Sequence, residues 1–198
     1  MPTKCSDTAA TTVHSLLQTI KQELRASMNG VASAAMRQTA DYRVNFGVEL
    51  PRLKSLAANY PHNHELAQAL WKEPVRECRI MATMIEPHDE MRGDMADIWT
   101  EDIHTAELAQ VASINLFQYI EGAPGKALQW IADDDSIRQL CGLCTAYHLQ
   151  RRACLDGRQL QELADQAQSL SQSADLAVRR VANNIFSTLT QEVSANNQ

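Results

Sequence analysis

The 198-residue sequence lacks several features that would assign it to other structural classes. Glycine and proline are scarce (7 and 6 residues), aromatic residues make up only 5%, and alternating runs of β-branched residues are absent, so β-strands have little support. Every apolar run is too short to span a bilayer, and no apolar segment follows the N-terminal lysine as in a secretory signal. We therefore expect a cytoplasmic protein with no membrane partner.

The five cysteines also argue against a disulfide framework, because their number is odd and no export signal precedes them. Cys141 and Cys144 form a Cys-x-x-Cys pair, with His148 and Cys154 nearby. A redox pair is expected at a helix N-terminus after a strand, whereas this pair falls inside a predicted helix. We interpret these cysteines as small buried residues and expect no metal and no cofactor.

The net charge of −6 argues against a broadly cationic nucleic-acid binder, but the charges are distributed unevenly. Residues 1–79 carry 10 Lys and Arg against 7 Asp and Glu, residues 80–140 carry 3 against 12, and residues 141–198 carry 5 against 5. A phosphate-binding surface is therefore expected outside the acidic middle of the chain.

Apolar residues recur at intervals of three and four along most of the sequence, which predicts amphipathic helices. The first is predicted to begin at Thr11 or Thr12 and to stop at Gly30, with a further helix over residues 31–39. A helix starting near Pro51 is followed by one capped by Asn63 and by another between Pro74 and Pro87. The remaining predicted helices cover residues 91–101, 105–120, 126–132, 136–152, 157–170 and 173–194.

Helix pairs thus recur about every 30–40 residues from position 48 onward, which is typical of helical repeats rather than of a bundle of four long helices. The sequence predicts an all-α protein with one domain over residues 1–198. Residues 1–40 would form capping helices, and residues 45–195 would form a curved right-handed stack of helix pairs.

A set of motifs between Asn45 and Phe117 adds a family resemblance to this pattern. The sequence reads Asn45-Phe46-Gly47-Val48, then Leu70-Trp71-Lys72-Glu73-Pro74-Val75-Arg76-Glu77, and later Trp99. In that order the segments resemble the DNA alkylation repair family, which is built on HEAT-like repeats. The motifs cover roughly a third of the chain, and the resemblance implies a HEAT-like repeat stack for the whole.

The resemblance implies a DNA glycosylase that removes cationic alkylated bases such as 3-methyladenine and 7-methylguanine. In that family the duplex lies on a concave basic face, and the base is not flipped fully into a pocket. An alkylated purine is already a good leaving group, so the protein mainly supplies a carboxylate that stabilises positive charge developing on the sugar. Aromatic side chains hold the cationic base, and arginines hold the phosphates.

The resemblance also indicates where these groups would lie, and each position holds a different residue type. The family aspartate falls at Gln110 and the tryptophan one turn earlier falls at Ala106, while the second concave tryptophan falls near Asn184. The concave arginine falls near Gln139. Glu107 is a weak substitute for the aspartate because it lies three residues earlier on the helix and points in a different direction from position 110. The replacements predict weak or absent glycosylase activity.

Several other residues have competing structural interpretations. The basic residues Arg138 and Arg180 are predicted to contact DNA, with Gln139 and Asn184 beside them, although a solvated helix face would look the same. The Arg76-Glu77 pair is predicted to form ion pairs between neighbouring helices. The three tryptophans are assigned to packing between helices rather than to base stacking: Trp71, Trp99 and Trp130.

Two functions from different classes remain open at this point. The first is a protein of the alkylation repair family that binds duplex or branched DNA through its phosphates. The second is a non-catalytic adaptor that uses the groove of its helical stack for a protein or peptide. The acidic middle and the negative net charge favour the adaptor, whereas the motifs favour DNA.

Overall fold

Eleven α-helices account for most of the residues that the structure, a computed structural model, describes: 4–39, 42 and 44–196. The single β-pairing among these residues is an isolated parallel bridge between Val44 and Val75, so the all-α prediction is confirmed. The chain divides into two compact units, Met1–Glu90 and Met91–Gln198, called the first and second unit below. In the described part of the chain, no helix combines the length and the apolar composition needed to cross a membrane.

The first unit contains five helices, four of which contribute buried apolar residues to its core. They are α1 (Lys4–Ala26), α2 (Gly30–Thr39), α3 (Leu50–Ala57), α4 (His64–Trp71) and α5 (Arg76–Ile85). The predicted cap at Asn63 is confirmed, because its side chain accepts a hydrogen bond of 2.7 Å from the Leu66 amide. The predicted start of the first helix is wrong: Thr11 and Thr12 lie inside α1, since no glycine or proline occurs between Lys4 and Thr11.

A buried ion pair holds the segment that precedes α3. Arg76 and Glu77 are 3.0 Å apart, and their side chains are only 1% and 0% exposed. The Arg76 guanidinium donates to the Val48 carbonyl (2.9 Å), and the Glu77 carboxylate accepts from the amides of Phe46 (3.1 Å) and Val48 (3.2 Å). The pair therefore joins α5 to a loop, which corrects the expected link between neighbouring helices.

Gly47 lies in the same loop, where the backbone passes very close to the start of α2. Its φ of 71° is in the left-handed region, and a Cβ atom would lie 2.3 Å from the Asn29 carbonyl oxygen and 2.4 Å from the Ser33 nitrogen. Only glycine fits this position without strain. The Phe-Gly-Val motif thus serves the close packing of the loop on α2.

The second unit contains six α-helices and one short 3-10 helix, Phe117–Tyr119. The α-helices are α6 (Gly93–Glu101), α7 (Ala106–Asn115), α8 (Ala123–Ile131), α9 (Ser136–Arg151), α10 (Gly157–Leu170) and α11 (Leu176–Asn196). The central helix α9 packs against α7, α8 and α11, and α10 packs against α11. As a result α9 is enclosed on several sides, whereas α7 and α11 flank it.

Several predicted helix boundaries in the second unit are wrong, including the start of α11, which begins at Leu176 rather than at residue 173. The helix predicted over 105–120 ends at Asn115, because Leu116 adopts non-helical angles (φ −132°, ψ −63°) and the chain continues as the 3-10 helix. Helix α8 begins at Ala123 rather than Lys126, since Pro124 occupies its first turn, where a proline loses no hydrogen bond. The cap at Thr105 is present, with its side chain accepting from the Leu108 amide at 3.3 Å.

The three tryptophans are buried, which confirms their assignment to packing. Trp71, Trp99 and Trp130 are only 3%, 1% and 1% exposed. The Trp130 ring lies 5.1 Å from that of Phe117, and its indole N–H donates to Asp97 Oδ1 at 2.8 Å. None of these rings is free to stack on a base.

Candidate functional site

A cleft of about 340 Å³ lies in the second unit, among α7, α9 and α11. Its walls are mostly apolar and carry a few polar groups at the mouth, which is the usual make-up of a ligand site. Eight residues line it: Gln110, Val111, Ile114, Cys144, Tyr147, His148, Val181 and Asn184.

Helical spacing brings these side chains to one surface. Gln110 and Ile114 are one turn apart on α7, Cys144 and His148 are one turn apart on α9, and Val181 precedes Asn184 by three residues on α11. The Ser113 hydroxyl fixes α7 against α9, because it donates to the Cys141 carbonyl at 3.1 Å. The cleft is therefore held by regular helices rather than by a mobile loop.

Two positions predicted from the resemblance meet at this cleft. Gln110 stands where the family aspartate was expected and Asn184 where the second tryptophan was expected, and both are exposed residues of the lining. Ala106 and Glu107 lie in the first turn of α7 and are absent from the lining. No carboxylate is present among the eight lining residues.

Arg138 and Gln139 lie elsewhere, at the start of α9, in a cluster of acidic groups. The Arg138 guanidinium lies 3.4 Å from Asp133, 3.7 Å from Asp97 and 3.8 Å from Glu101. The Gln139 amide donates to the Asp133 carbonyl at 2.7 Å. These carboxylates therefore compensate the charge of Arg138.

The second unit also contains arginines that no carboxylate compensates. The Arg151 guanidinium lies 5.7 Å from the centre of the Tyr147 ring, and that of Arg152 lies 4.6 Å from the Tyr119 ring. Arg180 is exposed, one turn before Asn184 on α11. Within the described residues, none of these three arginines forms an ion pair, so all three can offer their charge to an anion.

The acidic character of the second unit is concentrated away from the cleft. Its three flanking helices, α7, α9 and α11, contain four arginines and only two acidic residues, Glu107 and Glu192. Most other carboxylates belong to turns or to α6 and α10, and Asp97 is compensated by Lys126 at 2.6 Å. The net charge of the chain therefore does not describe this surface. We call the half-buried Tyr147 and the exposed side chains of Gln110, Arg151, Arg180 and Asn184 the cleft face.

The titratable groups of the cleft are unsuited to covalent chemistry. Burial raises the pKa of the Cys144 thiol to about 12, so it is protonated and weakly nucleophilic at neutral pH. Burial, and secondarily the charge of Arg151, lowers the pKa of His148, so the imidazole is neutral there. The described residues also contain no cluster of three or more His, Cys, Asp or Glu side chains able to hold a metal ion.

Tyr147 and Ile114 were missed by the sequence reasoning, and His148 was considered only as a soft metal ligand. The Tyr147 and His148 rings lie edge to face, 5.4 Å apart, at the C-terminal part of α9. Since α9 packs on several sides, apolar residues occur all around it, and no polar stripe reveals which face is open. The one available signal is the Tyr147–Arg151 spacing of four residues, which places an aromatic ring and a cation on the same face.

Fold and site together define an all-helical repeat protein with an uncompensated basic and aromatic face. The sequence matches the family described as DNA alkylation repair enzyme over residues 20–192, so the chain belongs to that family. A search of curated proteins gave no match.

One similar solved structure has a TM-score of 0.77 at 18% sequence identity, and the match covers 85% of this chain and 73% of that one. It represents "a new family of proteins related to the HEAT-like repeat DNA glycosylases with affinity for branched DNA structures". The likeness confirms the HEAT-like repeat fold that the motifs predicted.

Proposed function

We propose that this protein binds DNA through backbone phosphates at the cleft face and does not excise alkylated bases by the mechanism of its family. The observation that carries the proposal is the lining of the cleft, which has an amide, Gln110, at the expected position of the carboxylate. An amide cannot supply the negative charge that stabilises an oxocarbenium-like transition state. Arg151 and Arg180 remain available for phosphates.

Family membership and the branched-DNA affinity of the structurally similar protein support the DNA-binding part of the proposal. The test is binding of the purified protein to labelled duplex and four-way junction DNA containing 7-methylguanine, at several salt concentrations, with release of free base followed in the same tubes. We expect salt-sensitive binding without release. Base release would overturn the non-catalytic assignment, and absence of binding would favour the protein or peptide adaptor instead.

A gain-of-function variant tests the assignment of Gln110 separately. Gln110→Asp combined with Ala106→Trp restores both expected groups, so we expect it to release more 7-methylguanine than the wild type. Gln129→Asp, on α8 and outside the cleft, is the matched control and should release none. DNA binding by the double variant without any release would contradict the register that places the family aspartate at Gln110.

A further inference from the structure

The cleft is larger than phosphate binding requires, and its walls point to a particular occupant. A phosphate needs only exposed cations, whereas this cleft of about 340 Å³ has apolar walls formed by Val111, Ile114 and Val181 and an aromatic side, Tyr147. Its volume is at the lower end of the range for small-ligand pockets, about 300–1,000 Å³. We propose that the cleft holds one unpaired DNA base, a role that rests on the proposed DNA binding.

The polar groups of the cleft match the edge of an uncharged base. The side-chain amides of Gln110 and Asn184 are exposed on opposite helices, α7 and α11, and each carries both a donor and an acceptor. Base edges present donors and acceptors of the same kind, and protein side chains read unpaired bases in this way. Since no carboxylate lines the cleft, it has no negative charge that would favour a cationic alkylated base over a neutral one.

The aromatic and cationic groups are arranged to hold the rest of a nucleotide. Tyr147 is half-buried and offers a ring for stacking, which binds any base because every base has a flat π face. Arg151 lies one turn further along α9, with its guanidinium hydrogen-bonded to the Tyr147 hydroxyl at 3.5 Å. A base stacked on Tyr147 thus has an uncompensated cation near its own phosphate.

An unpaired base can enter the cleft at a lower free-energy cost than a paired one. A paired base is stacked inside a duplex and must be extruded before it can enter a pocket, and this cost is lowest where pairing is already lost. Bulges and branch points supply such bases. The cleft would therefore make the protein prefer DNA with an unpaired base, although the phosphate contacts themselves are independent of structure.

The test uses the fluorescent base 2-aminopurine, placed unpaired in a single-base bulge or paired in an otherwise identical duplex. Wild-type protein is expected to bind the bulged DNA about tenfold more tightly and to change the emission of the bulged base alone. Tyr147→Ala should abolish most of this preference and the emission change, while Tyr147→Phe should keep both, since it retains the ring.

Tyr119→Ala is the matched control. Tyr119 also lies beneath an arginine, at 4.6 Å from Arg152, but it does not line the cleft, so its loss should leave the preference intact. Equal binding of bulged and paired DNA with unchanged emission would overturn the cleft proposal while DNA binding stands. Failure to bind either DNA would overturn the proposed function as well. Circular dichroism of each variant shows whether it is folded.

Discussion

Charged residues have opposite roles in the two units of this chain. In the first unit the side chains of Arg76 and Glu77 are nearly inaccessible to solvent. They form an ion pair with each other and hydrogen bonds to the backbone of a loop. In the second unit Arg151 and Arg180 are exposed and form no ion pair within the described residues. The motif residues that reveal the family are thus part of the scaffold. A chain can keep them, and with them the fold, while the cleft residues change.

The largest expected effect comes from removing the charge of Glu77. Glu77→Gln removes the buried negative charge that lies 3.0 Å from the Arg76 guanidinium, which should lower the free energy of unfolding by about 3–5 kcal/mol. Urea unfolding followed by circular dichroism measures the loss. The matched control is Asp94→Asn, which removes an exposed ion pair with Arg92 and should change stability by less than about 0.5 kcal/mol. Equal losses would contradict the contrast between the units.

A smaller loss is expected from Gly47→Ala, which tests the same loop without changing any charge. The new Cβ would meet the Asn29 carbonyl oxygen and Ser33 nitrogen, and the left-handed φ adds strain, so we expect a loss of about 1–3 kcal/mol. Gly125→Ala in the first turn of α8 is the control, because a Cβ there meets nothing within 4 Å. Thermal unfolding compares the two, and a stable Gly47→Ala variant would show that the loop packs differently.

The third prediction concerns binding in the second unit. Arg151→Gln combined with Arg180→Gln removes two phosphate contacts, so we expect about tenfold weaker DNA binding. The slope of log K against log salt concentration should also decrease in magnitude by about 1.8. Fluorescence anisotropy at several salt concentrations measures both quantities. Arg158→Gln is the control, because Arg158 lines a separate cleft with Asp156 and Glu162. Unfolding of the double variant should match the wild type, and an unchanged salt slope would contradict the assigned contacts.

The smallest expected effect is the contribution of His148 to the pH dependence of DNA binding. Its pKa in the free protein lies below the ordinary value of 6.5, mainly because burial disfavours the charged form. A phosphate nearby favours the imidazolium and raises that pKa, so binding takes up a proton and tightens as the pH falls through 6.5. We expect a change of a few-fold between about pH 7.5 and 5.5, and His148→Asn should remove it. A dependence that survives the substitution would belong to another group.

Protonation of His148 should also lower the free energy of unfolding. Because the folded chain disfavours the charged form of His148, its contribution to stability is complete above pH 6.5 and is lost as the pH falls below that value. Unfolding of wild-type protein and His148→Asn over the same pH range separates this effect from binding.

Local signals predicted much of the fold, and their failures have local causes. Asn63 was correctly placed as a cap because its side chain can satisfy the first free amides of a helix. The break at Leu116 carries no glycine or proline, so periodicity alone extended the helix through it. The buried Arg76–Glu77 pair was expected to link helices, because no local sequence pattern indicates that a loop passes over it.

The candidate site was less accessible to prediction than the fold. The motif register placed Gln110 and Asn184 as replaced family positions, and the two residues do line one cleft. Arg138 was selected for its charge, but the carboxylates around it come from three separate positions in the chain: Asp97, Glu101 and Asp133. Such compensation depends on which helices pack together, which charge counts along a sequence cannot reveal.

The measurement that tests the central claim most directly is photocrosslinking of the protein to bulged DNA, followed by mass spectrometry of the crosslinked peptides. If the cleft face binds DNA, the crosslinks will fall in residues 106–115, 141–152 and 176–190. Their yield will drop severalfold in Arg151→Gln combined with Arg180→Gln at a protein concentration near the Kd of the wild type. Crosslinks confined to residues 1–90 would contradict this account, because the unit that carries the family motifs would then also bind the DNA.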